Sequence, residues 1–249
     1  MVLNVLQDAL VHRLRELAPE ATTILLFGST ASGHTDSTSD YDLLILTPEA
    51  LKQEWRDNLK RQLRAEFGSL NLDLIFSSEW AFIASLPYEP ARRFWLENAV
   101  LLWGRWPLVE SYPPLAKGAL LSHLEMIAAE IDLGALEEAE ADQARVGLDA
   151  LEHLLHIKLA LDNDYRNWAV WAAMEKLLGV EVIQTIRTMS DQITSSTVKR
   201  LYALLRRLRP QLIERVNRMP ESITDQAWKA SWQEHESAET TGVSSPTGG

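Results

Sequence analysis

The sequence predicts an α+β protein, a small mixed β-sheet domain followed by an α-helical bundle. Three observations carry this. Short β-branched or apolar runs recur at residues 22–27, 41–47, 71–76 and 99–103, separated by stretches of helical periodicity. A segment rich in proline and glycine, residues 104–114 (GRWPLVESYPP), then interrupts the chain as a domain boundary. Beyond it the apolar spacing is helical, as in a bundle.

The elements follow in order. Leu3, Leu6, Leu10, Leu14 and Leu17 give residues 1–17 an amphipathic helical stripe. Asp8, Arg13, Arg15 and Glu16 interrupt it, which argues against a secretion signal. A strand is expected over 22–28 and a second over 40–47. Residues 48–67 read as a helix with Leu51, Trp55, Leu59 and Leu63 on one face, and 71–77 as a third strand. A helical stretch over 78–98, broken at Pro87 and Pro90, leads to a strand at 99–103. Helices are expected over 115–133, 135–161, 168–178, 181–189 and 197–218. Gly134, the 162–164 cluster and Gly179 separate some of them, and Pro210 is expected to kink the last. The resulting domains are 1–104 and 115–236, followed by a polar, glycine-rich tail over 237–249 that reads as disordered.

Composition narrows the class. The 249-residue chain is 46% hydrophobic, enough for real cores. It has no cysteine, which excludes disulfides and thiolate metal sites and is compatible with a cytoplasmic location. No apolar run approaches the length of a membrane span. A net charge of −11 disfavours nucleic acid as a substrate, although basic helices near the end work the other way.

The chemistry is concentrated in residues 26–46, LFGSTASGHTDSTSDYDLLIL. Gly28-Ser29 ends the first strand, and ten residues later comes Asp40-Tyr41-Asp42. Backbone N–H groups at a strand-to-helix turn bind phosphate, and glycine permits close approach. Along a strand, Asp40 and Asp42 point the same way and Tyr41 points away. Two adjacent carboxylates repel unless a cation lies between them, and Mg²⁺ suits carboxylate oxygens shared with phosphates. Asp73, on the third strand, supplies a third carboxylate if that strand lies beside the second. Two metal ions could then clamp an in-line displacement at phosphorus, with Asp73 as ligand or general base.

At these residues the chain resembles the DNA polymerase β-like nucleotidyltransferase superfamily, and in particular its minimal and antibiotic-modifying (aminoglycoside adenylyltransferase) branches. The shared motif comprises Gly28, Ser29, Gly33, Ser39, Asp40, Asp42 and Leu43. The resemblance implies that Gly28, Ser29 and Ser39 bind the nucleotide. It also implies that Asp40, Asp42 and Asp73 hold two Mg²⁺ ions, with ATP as co-substrate. Many relatives carry a basic residue just before the glycine seen here as Gly33, where this chain has Ser32.

The charge distribution bears on the acceptor. Residues 119–165 hold eleven acids against two bases, and residues 187–218 eight bases against two acids. Solvated helix faces account for most of these charges, while an acidic wall could also concentrate a cationic substrate. In antibiotic-modifying relatives a bundle carboxylate assists the acceptor hydroxyl. Glu130, Glu137, Asp142, Asp149 and Glu152 are the candidates here. His153 and His156, three apart, read as ordinary helix histidines, because no third ligand is evident. Trp168 and Trp171 read as core or cleft wall. The expected acceptor is a hydroxyl of a small, cationic molecule. A protein target is the alternative, as in antitoxin partners of HEPN-type ribonucleases. No arginine followed four to six residues later by histidine occurs in the bundle, which opposes a fused ribonuclease. The intact acids oppose an inactive nucleotide-binding module.

Overall fold

The computed structural model describes residues 5–32, 40–68, 70–107, 109, 112–188 and 193–227. It is a mixed α/β protein in which a four-stranded sheet precedes a run of helices. The chain divides into two compact units. The first comprises Met1–Leu86, Ala91–Tyr112 and Asn163–Trp171, and the second Pro87–Pro90, Pro113–Asp162 and Ala172–Gly249.

In the first unit α1 (Val5–Leu17) precedes β1 (Thr23–Phe27), α2 (Gly28–Ser32) and β2 (Tyr41–Thr47). α3 (Gln53–Glu66), β3 (Leu72–Ser78), α4 (Glu79–Ser85), α5 (Pro90–Asn98) and β4 (Val100–Gly104) follow. The strand order is β3-β2-β1-β4, with β1 antiparallel to β2 and β4, and β2 parallel to β3. The parallel pair needs a long crossover, which α3 provides. Ile24, Leu26, Leu43, Ile45, Leu72 and Leu74 pack with Leu10 and Leu14 of α1 and Leu59 and Leu63 of α3. Leu25, Phe27, Leu44 and Leu46 pack on the opposite face with Phe82 of α4 and Leu96 of α5. Both faces are covered, which explains why β1 and β2 read as continuous apolar runs rather than alternating ones.

A buried arginine anchors residues 163–171 in this unit. Arg93 is 3% exposed. Its Nε donates to the Leu86 carbonyl at 2.8 Å and its Nη1 to the Tyr165 hydroxyl at 3.0 Å. The guanidinium also lies 5.3 Å from the Tyr112 ring centroid. Burial, then a hydrogen bond with Glu97, pushes the Tyr112 phenol well above its ordinary range.

The second unit is built on α6 (Lys117–Gly134), α7 (Glu140–Leu161), α9 (Val180–Arg187) and α10 (Ser195–Asn217), with the end of α8 (Asn167–Leu178). α6, α7 and α10 pack against one another, and α9 packs on α7. Asp225, 2% exposed, ties the chain end to the start of α6. Its carboxylate accepts from the Gly118 N–H at 3.1 Å and from the Ser222 N–H and hydroxyl at 2.8 Å.

Several boundaries differ from the sequence reading. α3 begins at Gln53 rather than at 48, because the Thr47 hydroxyl donates to the Glu49 carbonyl at 2.6 Å and holds that stretch as a turn. Gly134 completes α6 instead of separating helices, and α7 starts at Glu140, with Glu140 and Asp142 at its positive end. The Gln143 side chain donates to the Glu137 carbonyl at 2.6 Å and closes the loop ahead of it. α10 starts two residues earlier than expected because Thr194 caps it, accepting from the Thr197 N–H at 3.3 Å. The helix runs continuously across Pro210. The tail expected over 237–249 lies outside the described residues. Among the described residues no helix is long and apolar enough to cross a membrane.

Candidate active site

The site is assembled where β1 ends and β2 begins. β1 is buried along its whole length and stops at Phe27, whose partner across the antiparallel pair is Asp42. The next residue, Gly28, turns the chain at φ +71° into α2. A Cβ on Gly28 would stand 2.0 Å from Asp42 Oδ2, so the bare glycine lets that carboxylate lie against the turn. Phe27 is held from behind by Trp95 of α5, with ring centroids 4.7 Å apart and stacked.

Asp42 is register partner of Asp73 on the parallel strand β3. In a parallel pair such partners project from the same face. This face carries Leu44, Leu46 and Ile75 farther along. The acids therefore occupy its open end, beyond the apolar cover of α4 and α5. Asp73 is exposed, while Asp40 and Asp42 are half-buried. Asp40 stands immediately before β2. Its Oδ1 accepts from the Asn71 side-chain amide, and its carbonyl accepts from the Thr30 hydroxyl at 2.6 Å. The Tyr41 N–H donates to the Asn71 carbonyl at 2.7 Å. Ser29 is half-buried in α2. Gly33 and Ser39, both in the expected motif, lie outside the described residues.

The donors are hard oxygens, the kind that suits Mg²⁺. Asp42 and Asp73 are brought side by side, with Asp40 one pleat upstream. Among the described residues, however, no group of three or more His, Cys, Asp or Glu is arranged to hold a metal ion. The donor chemistry fits the ion, and the side chains do not converge on one point.

Residues 8–102 match the family model described as a nucleotidyltransferase domain. This region is a nucleotidyltransferase domain. The matched span takes in β1 to β3, the start of β4 and every predicted catalytic and nucleotide-binding residue. The chain thus carries an enzyme domain of the nucleotidyltransferase class. No curated protein gives a significant match. Among solved structures the nucleotidyltransferase is similar to a spectinomycin adenyltransferase from Enterococcus faecialis with ATP and spectinomycin. That likeness has 11% identity and a TM-score of 0.49, covering 83% of this chain and 98% of that one. It is also similar to a tri-AMPylated Shewanella oneidensis HEPN toxin in complex with MNT antitoxin, at 20% identity and a TM-score of 0.29, covering 41% of this chain and 71% of that one. A toxin–antitoxin complex with AMP-PNP matches at 20% identity and a TM-score of 0.31, covering 52% and 90%. At these identities and TM-scores none of them bears on what this nucleotidyltransferase acts on.

The candidate bundle acids of the nucleotidyltransferase all lie in its second unit. Glu130 Oε2 stands 3.5 Å from His153 Nδ1. Glu137 sits in the loop before α7, and Asp142 lies in the first turn of α7. Burial pushes Glu152 up, against the pull of Arg187 and His153. Burial, then the Glu152 charge, raises Asp149. Burial, then His153, lowers His156 to about 4, so this imidazole is neutral at pH 7.

Two residues at the nucleotidyltransferase site escaped the sequence reading, Thr30 and Asn71. The signal for Asn71 was present: Asn71-Leu72-Asp73 repeats the spacing of Asp40-Tyr41-Asp42 on the neighbouring strand. Such a repeat puts an amide beside one acid and a carboxylate beside the other once the strands pair in parallel.

Proposed function

We propose that this nucleotidyltransferase moves AMP from ATP to a hydroxyl of a small, cationic acceptor, with its catalytic domain over residues 1–104. The observation that carries the reaction is the register pair of Asp42 and Asp73 beside the bare Gly28 turn. The triphosphate rests on the Gly28-Ser29 turn, with Ser39 a further contact, where backbone N–H groups and the absent side chain admit phosphate oxygens. Asp40, Asp42 and Asp73 would hold two Mg²⁺ ions, which, when bound, neutralise the charge that gathers on the leaving pyrophosphate. Asp73, the exposed member, takes the proton of the acceptor hydroxyl. The hydroxyl oxygen bonds to the α-phosphorus, the bond from that phosphorus to the bridging oxygen breaks, and pyrophosphate leaves.

A cationic acceptor is supported by the net charge of −11 and by the eleven acids among residues 119–165. A cytoplasmic location, where Mg²⁺ and ATP are abundant, fits the absence of cysteine. The test is pyrophosphate release from each NTP with Mg²⁺, across aminoglycosides and other hydroxylated antibiotics, with Asp42→Ala as control. Release that depends on one acceptor and vanishes in the variant supports the proposal. No release with any small acceptor, while ATP still binds, refutes the small acceptor and turns the search to a protein target.

A further inference from the structure

We propose that residues 47–52, with Glu20 and Trp55, form a second binding site, which takes a small organic ammonium ion with an aromatic or compact apolar body. These residues line a cavity of about 410 Å³ in the first unit. Small-molecule pockets span roughly 300–1,000 Å³. Thr47 lies five positions beyond Asp42 along β2, so the cavity stands at the opposite end of the strand from the candidate reaction centre. At the ordinary rise of a strand the two are about 17 Å apart. The site is additional to the function proposed above and does not rest on it.

The cavity exists because a stretch with helical spacing does not fold as helix. Thr47 is buried, and its hydroxyl donates to the Glu49 carbonyl at 2.6 Å. This holds residues 48–52 as a turn, and α3 begins only at Gln53. On the other side the Thr22 N–H donates to the Leu46 carbonyl at 2.8 Å, which fixes the loop carrying Glu20 against the end of β2. Trp55 is set at right angles to Phe76, with ring centroids 6.3 Å apart and planes at 85°. Walls fixed in this way need little ordering when a ligand enters.

The lining selects the ligand. It is mostly apolar, from Pro48, Ala50, Leu51 and Trp55. Leu51 and Trp55 are only half-buried, so a ligand seated on them removes further apolar surface from water. The charged lining residues are Glu20, Glu49 and Lys52, all exposed. Two carboxylates thus stand against one ammonium group. The negative face of an indole attracts a cation and repels an anion. Lys52 is the single cation of the lining, and its long stem lets the ammonium group turn to water. Glu20 and Glu49 therefore answer an ammonium group, while the apolar body of the ligand lies on Trp55 and Leu51.

The test follows the indole N–H signals of the nine tryptophans in the ¹⁵N-labelled full chain by NMR, with Trp55→Phe identifying that of Trp55. The probes are benzyltrimethylammonium, benzyl alcohol and phenylacetate, which are cationic, neutral and anionic. Benzyltrimethylammonium is expected to move the Trp55 signal saturably, benzyl alcohol to act more weakly, and phenylacetate to leave the signal in place. Glu20→Gln combined with Glu49→Gln removes both carboxylates and should raise the half-saturating concentration of the cation about three- to tenfold. Lys52→Gln should lower it. These side chains are exposed, so the melting temperatures should match the native one. A Trp55 signal that does not saturate with the cation, an equal response to phenylacetate, or unchanged half-saturation in the double variant overturns the proposal.

Discussion

Replacing Gly28 by alanine separates backbone strain from damage to the site, because Gly179 offers a matched comparison. Both glycines have left-handed backbones, φ +71° at Gly28 and +91° at Gly179. Alanine at either position incurs about 1–2 kcal/mol of strain. A Cβ at Gly179 would meet nothing within 4 Å. A Cβ at Gly28 would stand 2.0 Å from Asp42 Oδ2 and 2.9 Å from its Cγ. Ordinary contact begins near 3.4 Å, so the carboxylate has to swing away. A side-chain end moves cheaply, so the collision adds little to the loss of stability. It displaces a group whose placement matters, and a misplacement of about 1 Å costs on the order of a hundredfold in rate. Thermal unfolding and acceptor-dependent pyrophosphate release are the assays. Both variants should melt lower by a similar amount, about 2–8 °C. Only Gly28→Ala should lose turnover, by about a hundredfold. Near-native turnover in Gly28→Ala would refute the idea that Asp42 is seated against the turn. An equal loss in Gly179→Ala would assign the effect to strain.

Three other outcomes are expected. Burial raises the Asp225 carboxyl, but hydrogen bonds from Ser222, Gly118 and Lys117 outweigh it and hold the group below its usual range. Its stabilisation is therefore present at neutral pH and lost as pH falls through the carboxylate range. Asp225→Asn should cost about 1–3 kcal/mol in urea unfolding at pH 7 and show a shallower loss toward pH ~3. Lowered from 6.5 to about 4, His156 makes the unfolded chain bind the extra proton first as pH drops. Stability should fall between those values by at most about 3 kcal/mol, and His156→Gln should remove that slope. Arg93→Ala removes the hydrogen bonds of a buried side chain to the Leu86 carbonyl and the Tyr165 hydroxyl and should cost about 2–3 kcal/mol, read as a lower urea midpoint.

The strands were legible because β1 and β2 are largely apolar on both faces, β1 stopping at a glycine and β2 starting at the acids, signals that need no tertiary information. The acids Asp40, Asp42 and Asp73 could be chosen from spacing, but only strand order makes Asp42 and Asp73 neighbours. What stayed hidden depends on pairing or on local competition. Asn71 matters only once β3 lies beside β2, and Thr30 only once α2 folds over the start of β2. Gly134 looked like a separator because an isolated glycine weakens a helix, yet it is the last residue of α6 and packs closely there. A Cβ there would meet Val146 Cγ1 at 2.6 Å, so a larger residue would not fit that close approach. Residues 48–52 have the apolar spacing of a helix, but the Thr47 hydroxyl takes the Glu49 carbonyl. The bundle acids cannot be ranked from spacing, because charge on a helix face does not say which carboxylate is buried. In the folded chain Glu130, Asp142 and Glu152 are half-buried, while Glu137 and Asp149 are exposed.

Transfer of the labelled α-phosphate of ATP to acceptor, compared among the native chain, Asp42→Asn and Asp73→Asn, decides whether this register pair is the reaction centre. Each substitution keeps the size of the side chain and removes its charge. Both variants are expected to fold, to melt near the native temperature, and to lose transfer by more than the roughly hundredfold typical of an outer partner. Transfer at a near-native rate in either would mean that nucleotidyl chemistry in this protein occurs elsewhere.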